Sequence, residues 1–244
     1  MKKTFYLVAF VAMFLNGCSS SDSSSSSTSG ALVKTLFTDN VNPADQDYNL
    51  LFTYSGNKLL NVKSTGVLVE EYIYTGDKLT RINYPDANTY ILIEYTGSQV
   101  SKFTEFDPTL GEAVKHLVTF SGSNFTTTSY SGDLTTQALL EGTVVSTVQN
   151  GNIVQREKTH AGITSTTTYV YDTKNNPFKN IANYDVIKIL LGDLDGSSNN
   201  VTVVNYQGNT KTLNYVYNAD NYPTTEQTFD NSSTLSETTT YTYY

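Results

Sequence analysis

The stretch Tyr72-Ile73-Tyr74-Thr75-Gly76-Asp77-Lys78-Leu79 decides the fold class. Aromatic and β-branched residues run up to a Gly-Asp pair, and an apolar residue follows it. Such side chains favour a pleated strand, and Gly followed by Asp, Asn or Ser supplies the positive φ of a two-residue hairpin turn. The pattern recurs at Ser55-Gly56-Asn57-Lys58, Thr96-Gly97-Ser98-Gln99 and Ser121-Gly122-Ser123-Asn124, and more loosely at Asn150-Gly151-Asn152 and Gln207-Gly208-Asn209. An aromatic residue precedes each of the four clear copies (Tyr54, Tyr74, Tyr95, Phe120), and Leu59, Leu79 and Val100 follow three of them. Glycines 56, 76, 97 and 122 are spaced as two strands and two turns require, so the body reads as a repeat array. A lone hairpin cannot bury its apolar face, and stacking of neighbours is obligatory. The expected fold is all-β: consecutive stacked antiparallel hairpins forming one elongated, curved or spiralling sheet over residues 31–244. With five prolines in the chain, uncovered terminal strands would leave edges prone to self-association.

One segment departs from this pattern. Tyr184 to Leu191 is apolar at Val186, Ile187, Ile189, Leu190 and Leu191, and reads either as a short helix or as a buried strand. Gly192 to Asn200 after it reads as a loop.

The N-terminus carries Lys2 and Lys3, an apolar run from Phe5 to Leu15, and then small residues. As a helix that run measures about 16 Å, short of a bilayer core of about 30 Å, and it reads as a secretory signal. Leu15-Asn16-Gly17-Cys18 resembles the lipobox of bacterial lipoproteins. The resemblance implies a signal peptide at 1–17, acylation of Cys18 by fatty acid such as palmitate, and a membrane partner reached through that anchor. Ser19 to Gly30 is almost entirely serine and is expected to be a disordered tether, which makes 18–30 a lipidated linker. Cys18 is the only cysteine, which excludes disulfides and a Cys-ligated metal. Loss of residues 1–17 takes away two lysines and no acid, and moves the charge from −8 to −10. That disfavours nucleic acid, whose binding draws on Lys and Arg.

Two further stretches, Tyr169-Val170-Tyr171-Asp172 through Asn175-Asn176-Pro177-Phe178 and Tyr215-Val216-Tyr217-Asn218 through Tyr222-Pro223, resemble the YD-repeat pattern of RHS-type proteins and of uncharacterised Bacteroidetes lipoproteins. This resemblance implies a curved or spiralling sheet of consecutive hairpins, and with the lipobox a place in the cell envelope, lipid-anchored to the outer membrane at its periplasmic or surface face.

Catalytic signals are sparse. His116 and His160 have no second His, Cys or acid at metal-ligand spacing, and read as strand histidines. Glu70 and Glu71 are adjacent on a strand and point to opposite faces. Asp193 and Asp195 share a loop without completing a calcium pattern. No nucleophile elbow or phosphate loop occurs. No catalytic residue, metal or cofactor is therefore expected. The tyrosines are the remaining interest. Tyr72 with Tyr74, and Tyr215 with Tyr217, each share a strand face. They read first as cross-strand packing, and second as an aromatic face for a glycan or protein ligand. The expected function is a non-catalytic binding or scaffold module of the envelope. The alternatives are a structural subunit of an outer-membrane complex and a glycan-active hydrolase.

Overall fold

The computed structural model describes residues 30–42, 46–191 and 198–244. Cys18, Asp193 and Asp195 lie outside the described residues. Sixteen strands follow one another: β1 (Val33–Asn40), β2 (Tyr48–Ser55), β3 (Lys58–Ser64), β4 (Val67–Thr75), β5 (Lys78–Tyr84), β6 (Thr89–Thr96), β7 (Gln99–Asp107), β8 (Glu112–Ser121), β9 (Asn124–Asp133), β10 (Gln137–Gln149), β11 (Asn152–His160), β12 (Ile163–Tyr171), β13 (Val201–Tyr206), β14 (Asn209–Tyr217), β15 (Pro223–Phe229) and β16 (Leu235–Tyr243). Each pairs antiparallel with its sequence neighbours, and β1 pairs with β16. The sheet is therefore a closed up-and-down barrel, which corrects the expectation of an open, elongated or spiralling sheet. Closure satisfies the terminal strands with each other and leaves no edge for self-association.

The repeated glycine turns are found where the sequence placed them. Gly56-Asn57, Gly76-Asp77, Gly97-Ser98, Gly122-Ser123 and Asn150-Gly151 are two-residue turns at one end of the barrel. Gly76 sits at φ 59°, a conformation that costs other residues about 1–2 kcal/mol. The period of 20 to 25 residues is the distance the chain needs to return to that end, here called the base. The two ends of the barrel-forming chain, Val33 and Tyr243, also meet at the base. The opposite end is the mouth.

Register and burial fix which face of each strand points inward. One lumenal row is Tyr72, Ile82 and Ile91, running on to Glu105 and Val114. Another is Ile93, Phe103, His116 and Ser129. Phe52, Leu59, Val62, Leu79, Val100 and Phe125 are buried among them. The outward rows are different. Ile73, Arg81, Leu92, Thr104, Lys115 and Tyr130 cross β4–β9, so each apolar residue has a charged or polar neighbour. The row Glu94, Lys102, Leu117, Thr128, Thr143, Thr159 and Thr164 crosses β6–β12 and is mostly threonine and charge. Lys102 Nζ meets Glu94 Oε1 at 2.7 Å, and the Arg81 guanidinium lies 4.1 Å from the Tyr90 ring centroid.

A sixteen-stranded barrel has a lumen too wide for wall side chains alone to fill. Here the β12–β13 connection enters it. Residues Tyr184–Leu191 form α1, which settles the helix-or-strand alternative in favour of a helix. Five of its residues (Tyr184, Val186, Ile187, Ile189 and Leu190) join the same buried cluster as Phe52, Leu79 and Phe103. A short, mainly apolar helix is stable only when its apolar side chains are covered, and the lumen covers them while Asp185 stays exposed. The backbone N–H of Ala182 donates to Asn57 O at 2.8 Å, and Asn183 Nδ2 donates to Asp77 O at 2.9 Å, pinning the helix start to two base turns.

Candidate functional site: the barrel lumen

Two of the tyrosines that precede glycine turns and three others near the base share a job. Tyr54, Tyr95, Tyr171, Tyr215 and Tyr243 face the lumen near the base, and each hydroxyl donates to a carbonyl at the start of a neighbouring strand. Tyr54 reaches Val33 O at 2.9 Å, Tyr95 reaches Leu79 O at 2.7 Å, and Tyr171 reaches Ile153 O at 2.5 Å. Tyr215 reaches Val201 O at 2.8 Å, and Tyr243 reaches Pro223 O at 2.6 Å. Aromatic area fills the wide lumen while the hydroxyl ties one strand to the next. Burial pushes the Tyr74 and Tyr95 hydroxyls up to about 12.

Tyr72, Tyr74, Tyr215 and Tyr217, read from sequence as an aromatic binding face, all point into the lumen. Tyr72 is 5 % exposed, and its hydroxyl donates to Glu70 Oε2 at 2.6 Å. Tyr217 donates to Asp172. The two pairs stand on separate walls, β4 and β14, so they brace the interior instead of forming one exposed platform. The tyrosine-aspartate stretch has a local role as well. Asp172 accepts from Lys174 N at 2.9 Å and Asn200 N at 3.1 Å, closing the two ends of the inserted segment on each other.

Glu70 and Glu71 point to opposite faces as expected. Glu71 accepts from Asn83 Nδ2 outside, while Glu70 is inside. Desolvation by burial is the main cause that raises the Glu70 carboxyl above the usual range. The Tyr72 hydrogen bond opposes it, and Asp86 reinforces it. A raised carboxyl favours the protonated form in the fold, so its contribution is complete below the unfolded carboxyl pKa and is lost as pH rises. Glu70→Gln keeps the acceptor for Tyr72 and removes the charge. It should raise Tm at pH 7 by roughly 2–4 °C, the shift of about 1 kcal/mol in a chain of this length. The gain should vanish below about pH 4, where Glu70 is protonated in both states. Thermal melts of both proteins at the two pH values check this.

On the other side of α1 lies a cavity of about 430 Å³, within the roughly 300–1,000 Å³ of small-molecule sites. Its floor is Ile189 and Leu190 of α1, with Phe103 and Phe125 beside them. Its wall is three adjacent lumenal rows. One brings Ser129 beside His116, a second runs Thr127, Val144, Lys158 and Ser165, and a third runs Ser146, Arg156, Thr167 and Tyr206. Toward the mouth, Lys158 and Tyr206 are exposed to solvent. His116 is a half-buried strand histidine. Its Nδ1 lies 2.8 Å from Ser129 Oγ, its Nε2 stands 3.2 Å from Glu105 Oε1 without the alignment of a hydrogen bond, and its ring stacks on Phe103 at 4.3 Å. His160 is exposed at the end of β11, with Nδ1 2.6 Å from Glu141 O. The two histidines belong to different lumenal contacts, and no group of three metal-ligating side chains gathers among the described residues.

The cationic wall was missed in the sequence reading, and it had a signal there. Arg156, Lys158 and His160 alternate with Glu157 and Thr159, so the three basic side chains share one strand face.

No protein-family model and no curated protein matches this chain. Solved structures do. A porin-like protein from Bacteroides vulgatus superposes with a TM-score of 0.58 at 12 % identity, covering 88 % of this chain and 99 % of that one. A porin-like protein from Bacteroides uniformis gives 0.59 at 10 % identity, over 87 % of this chain and 96 % of that one. The fold is porin-like. At such identity the likeness is one of fold alone. The porin-like barrel described here has its own distribution of side chains: its largest apolar cluster lies inside, and outside, charge and threonine are interspersed with exposed apolar residues such as Leu51, Ile73, Leu92 and Leu117.

Proposed function

We propose that this chain is a non-catalytic protein of the bacterial envelope, acylated at Cys18, whose barrel is a water-surrounded cup that holds a small molecule in its lumen. The observation that carries the reading is charge on the outward face, where basic and acidic side chains interrupt apolar residues such as Ile73, Leu92 and Leu117. A barrel in lipid needs an outward apolar band, and Arg or Lys at its midplane costs about 2–4 kcal/mol each. Arg81, Lys102, Lys115, Glu71 and Glu94 stand on the outward face in the middle of their strands. Spanning strands need about 9–11 residues, while β13 has six and β3, β5 and β15 have seven. The porin-like fold is thus used here as a container. Its base, filled by α1, is the end at which β1 begins, so an anchor on Cys18 would hold the base rather than the mouth toward the membrane.

The test is binding of Nile red, a neutral apolar dye whose fluorescence rises on leaving water. The protein should enhance it with saturable binding. Val144→Trp, which places a larger side chain in the cavity wall, should reduce that binding several-fold with the circular-dichroism melt retained. No enhancement by the wild type, or enhancement indifferent to Val144→Trp, would contradict the cup.

A further inference from the structure

We propose that the cavity between α1 and the β7–β13 wall takes an amphiphile with a single anionic head on a hydrocarbon tail, the head held by Arg156 and Lys158 and the tail lying on Ile189, Leu190, Phe103 and Phe125. This rests on the reading of the lumen as a ligand cup, and names the class of ligand that the cup fits.

The charge in the cavity is the first argument. The chain is acidic, at −8, yet this wall gathers Arg156 and Lys158 side by side in adjacent lumenal rows of a cavity also lined by Phe103, Phe125, Ile189 and Leu190. Among the described residues, neither cation is ion-paired with a carboxylate. The nearby acids are engaged elsewhere: Glu105 faces His116, Glu141 accepts from Ser131, and Glu157 points outward beside Arg156. A partly buried guanidinium without an anion is costly, and a bound carboxylate or similar head would offset that cost through charge-assisted, bidentate hydrogen bonds.

The hydroxyls are the second argument. Thr127, Ser129, Ser165 and Thr167 ring the same space. Ser146 Oγ, in a residue only 1 % exposed and paired across the strands with Arg156, is buried without a hydrogen-bond partner. A head seated on Arg156 supplies an acceptor in the neighbourhood of that orphan donor. The apolar floor accounts for the rest of the ligand. Ile189 and Leu190 present hydrocarbon, and neither Phe103 nor Phe125 carries a polar atom that a sugar or nucleotide would need.

The experiment is displacement of Nile red from the full mature chain carrying Cys18→Ser, in detergent-free buffer. The displacers are dodecanoate, dodecanol and dodecyltrimethylammonium, each kept below its micellar concentration. Dodecanoate should displace the dye at concentrations roughly tenfold to a hundredfold lower than dodecanol, as charge-assisted hydrogen bonds predict. The cationic amphiphile should be the weakest. Arg156→Gln with Lys158→Gln should erase the preference for dodecanoate while Nile red still binds. Arg156→Gln alone, at a half-buried side chain with no ion pair, should remove most of it and serves if the double variant does not fold. Dodecanol competing as well as dodecanoate, or a preference that survives both substitutions, would overturn the proposal while leaving the cup in place. Failure of Nile red itself to bind would remove the cup and the proposal together.

Discussion

Ile187→Asp should unseat α1 and cost more than about 4 kcal/mol of stability. Ile187 is 3 % exposed and faces Leu36, Phe52, Leu59, Val62 and Tyr72 across a small apolar pocket. Among the described residues, no cation lines that pocket. Its one ionisable carboxylate, Glu70, would repel a second acid. The new charge therefore has neither water nor a partner, and the helix can relieve it only by leaving the lumen. Lys188, at 7 % exposure in the native barrel, would leave with it. Two measurements should move together: the urea midpoint falls, and trypsin cleaves after Lys188 under conditions that spare the wild type. Ile187→Val, which removes one methylene, should cost only about 0.5–1.5 kcal/mol and keep Lys188 protected. An unchanged midpoint with Lys188 still protected in Ile187→Asp would mean that α1 is not held by the lumen.

Phe103→Ala is the second large effect, at about 3–5 kcal/mol. Phe103 is 2 % exposed, belongs to the row Ile93–Phe103–His116, and lies flat against the His116 imidazole with 9° between the planes. It is both wall and floor, since it packs on the core cluster and borders the cavity. Removing the ring leaves a hole that α1 and the strands can close only in part. Phe103→Leu should recover much of the loss. Urea denaturation reads both variants, and a cost below about 1 kcal/mol for the alanine would show a wall that is not packed.

The hairpins were legible because their signal is local. Aromatic, Gly and polar turn residues within eight positions determine a turn, and two of the tyrosines before those glycines, Tyr54 and Tyr95, turned out to be braces. Closure was not legible because its determinants are remote. Val33–Asn40 and Leu235–Tyr243 read as two ordinary strands, and Thr35 meets Thr242 across 207 positions. Nothing in either segment marks the other as its partner. The helix stayed ambiguous for a related reason. Eight residues of which six are apolar or aromatic fit a buried strand as well as a helix, and only an enclosed lumen too wide for side chains selects the helix. The inside and outside of several strands were hidden by threonine. Thr164-Ser165-Thr166-Thr167-Thr168 and Thr238-Thr239-Thr240 carry similar side chains on both faces, so alternation gives no direction there. Arg156, Lys158 and His160 did alternate visibly. Assigning that face to the lumen needed the closed register, because strand periodicity alone would as readily place basic side chains in solvent.

As proposed above, the porin-like barrel faces water on its outside and packs its largest apolar cluster within. The most direct measurement is sedimentation velocity of the mature chain carrying Cys18→Ser in detergent-free buffer, where no lipid can contribute. A single monomeric species with the circular dichroism of a β-barrel is the predicted result. A chain that aggregates without detergent and becomes monodisperse only inside micelles would contradict it.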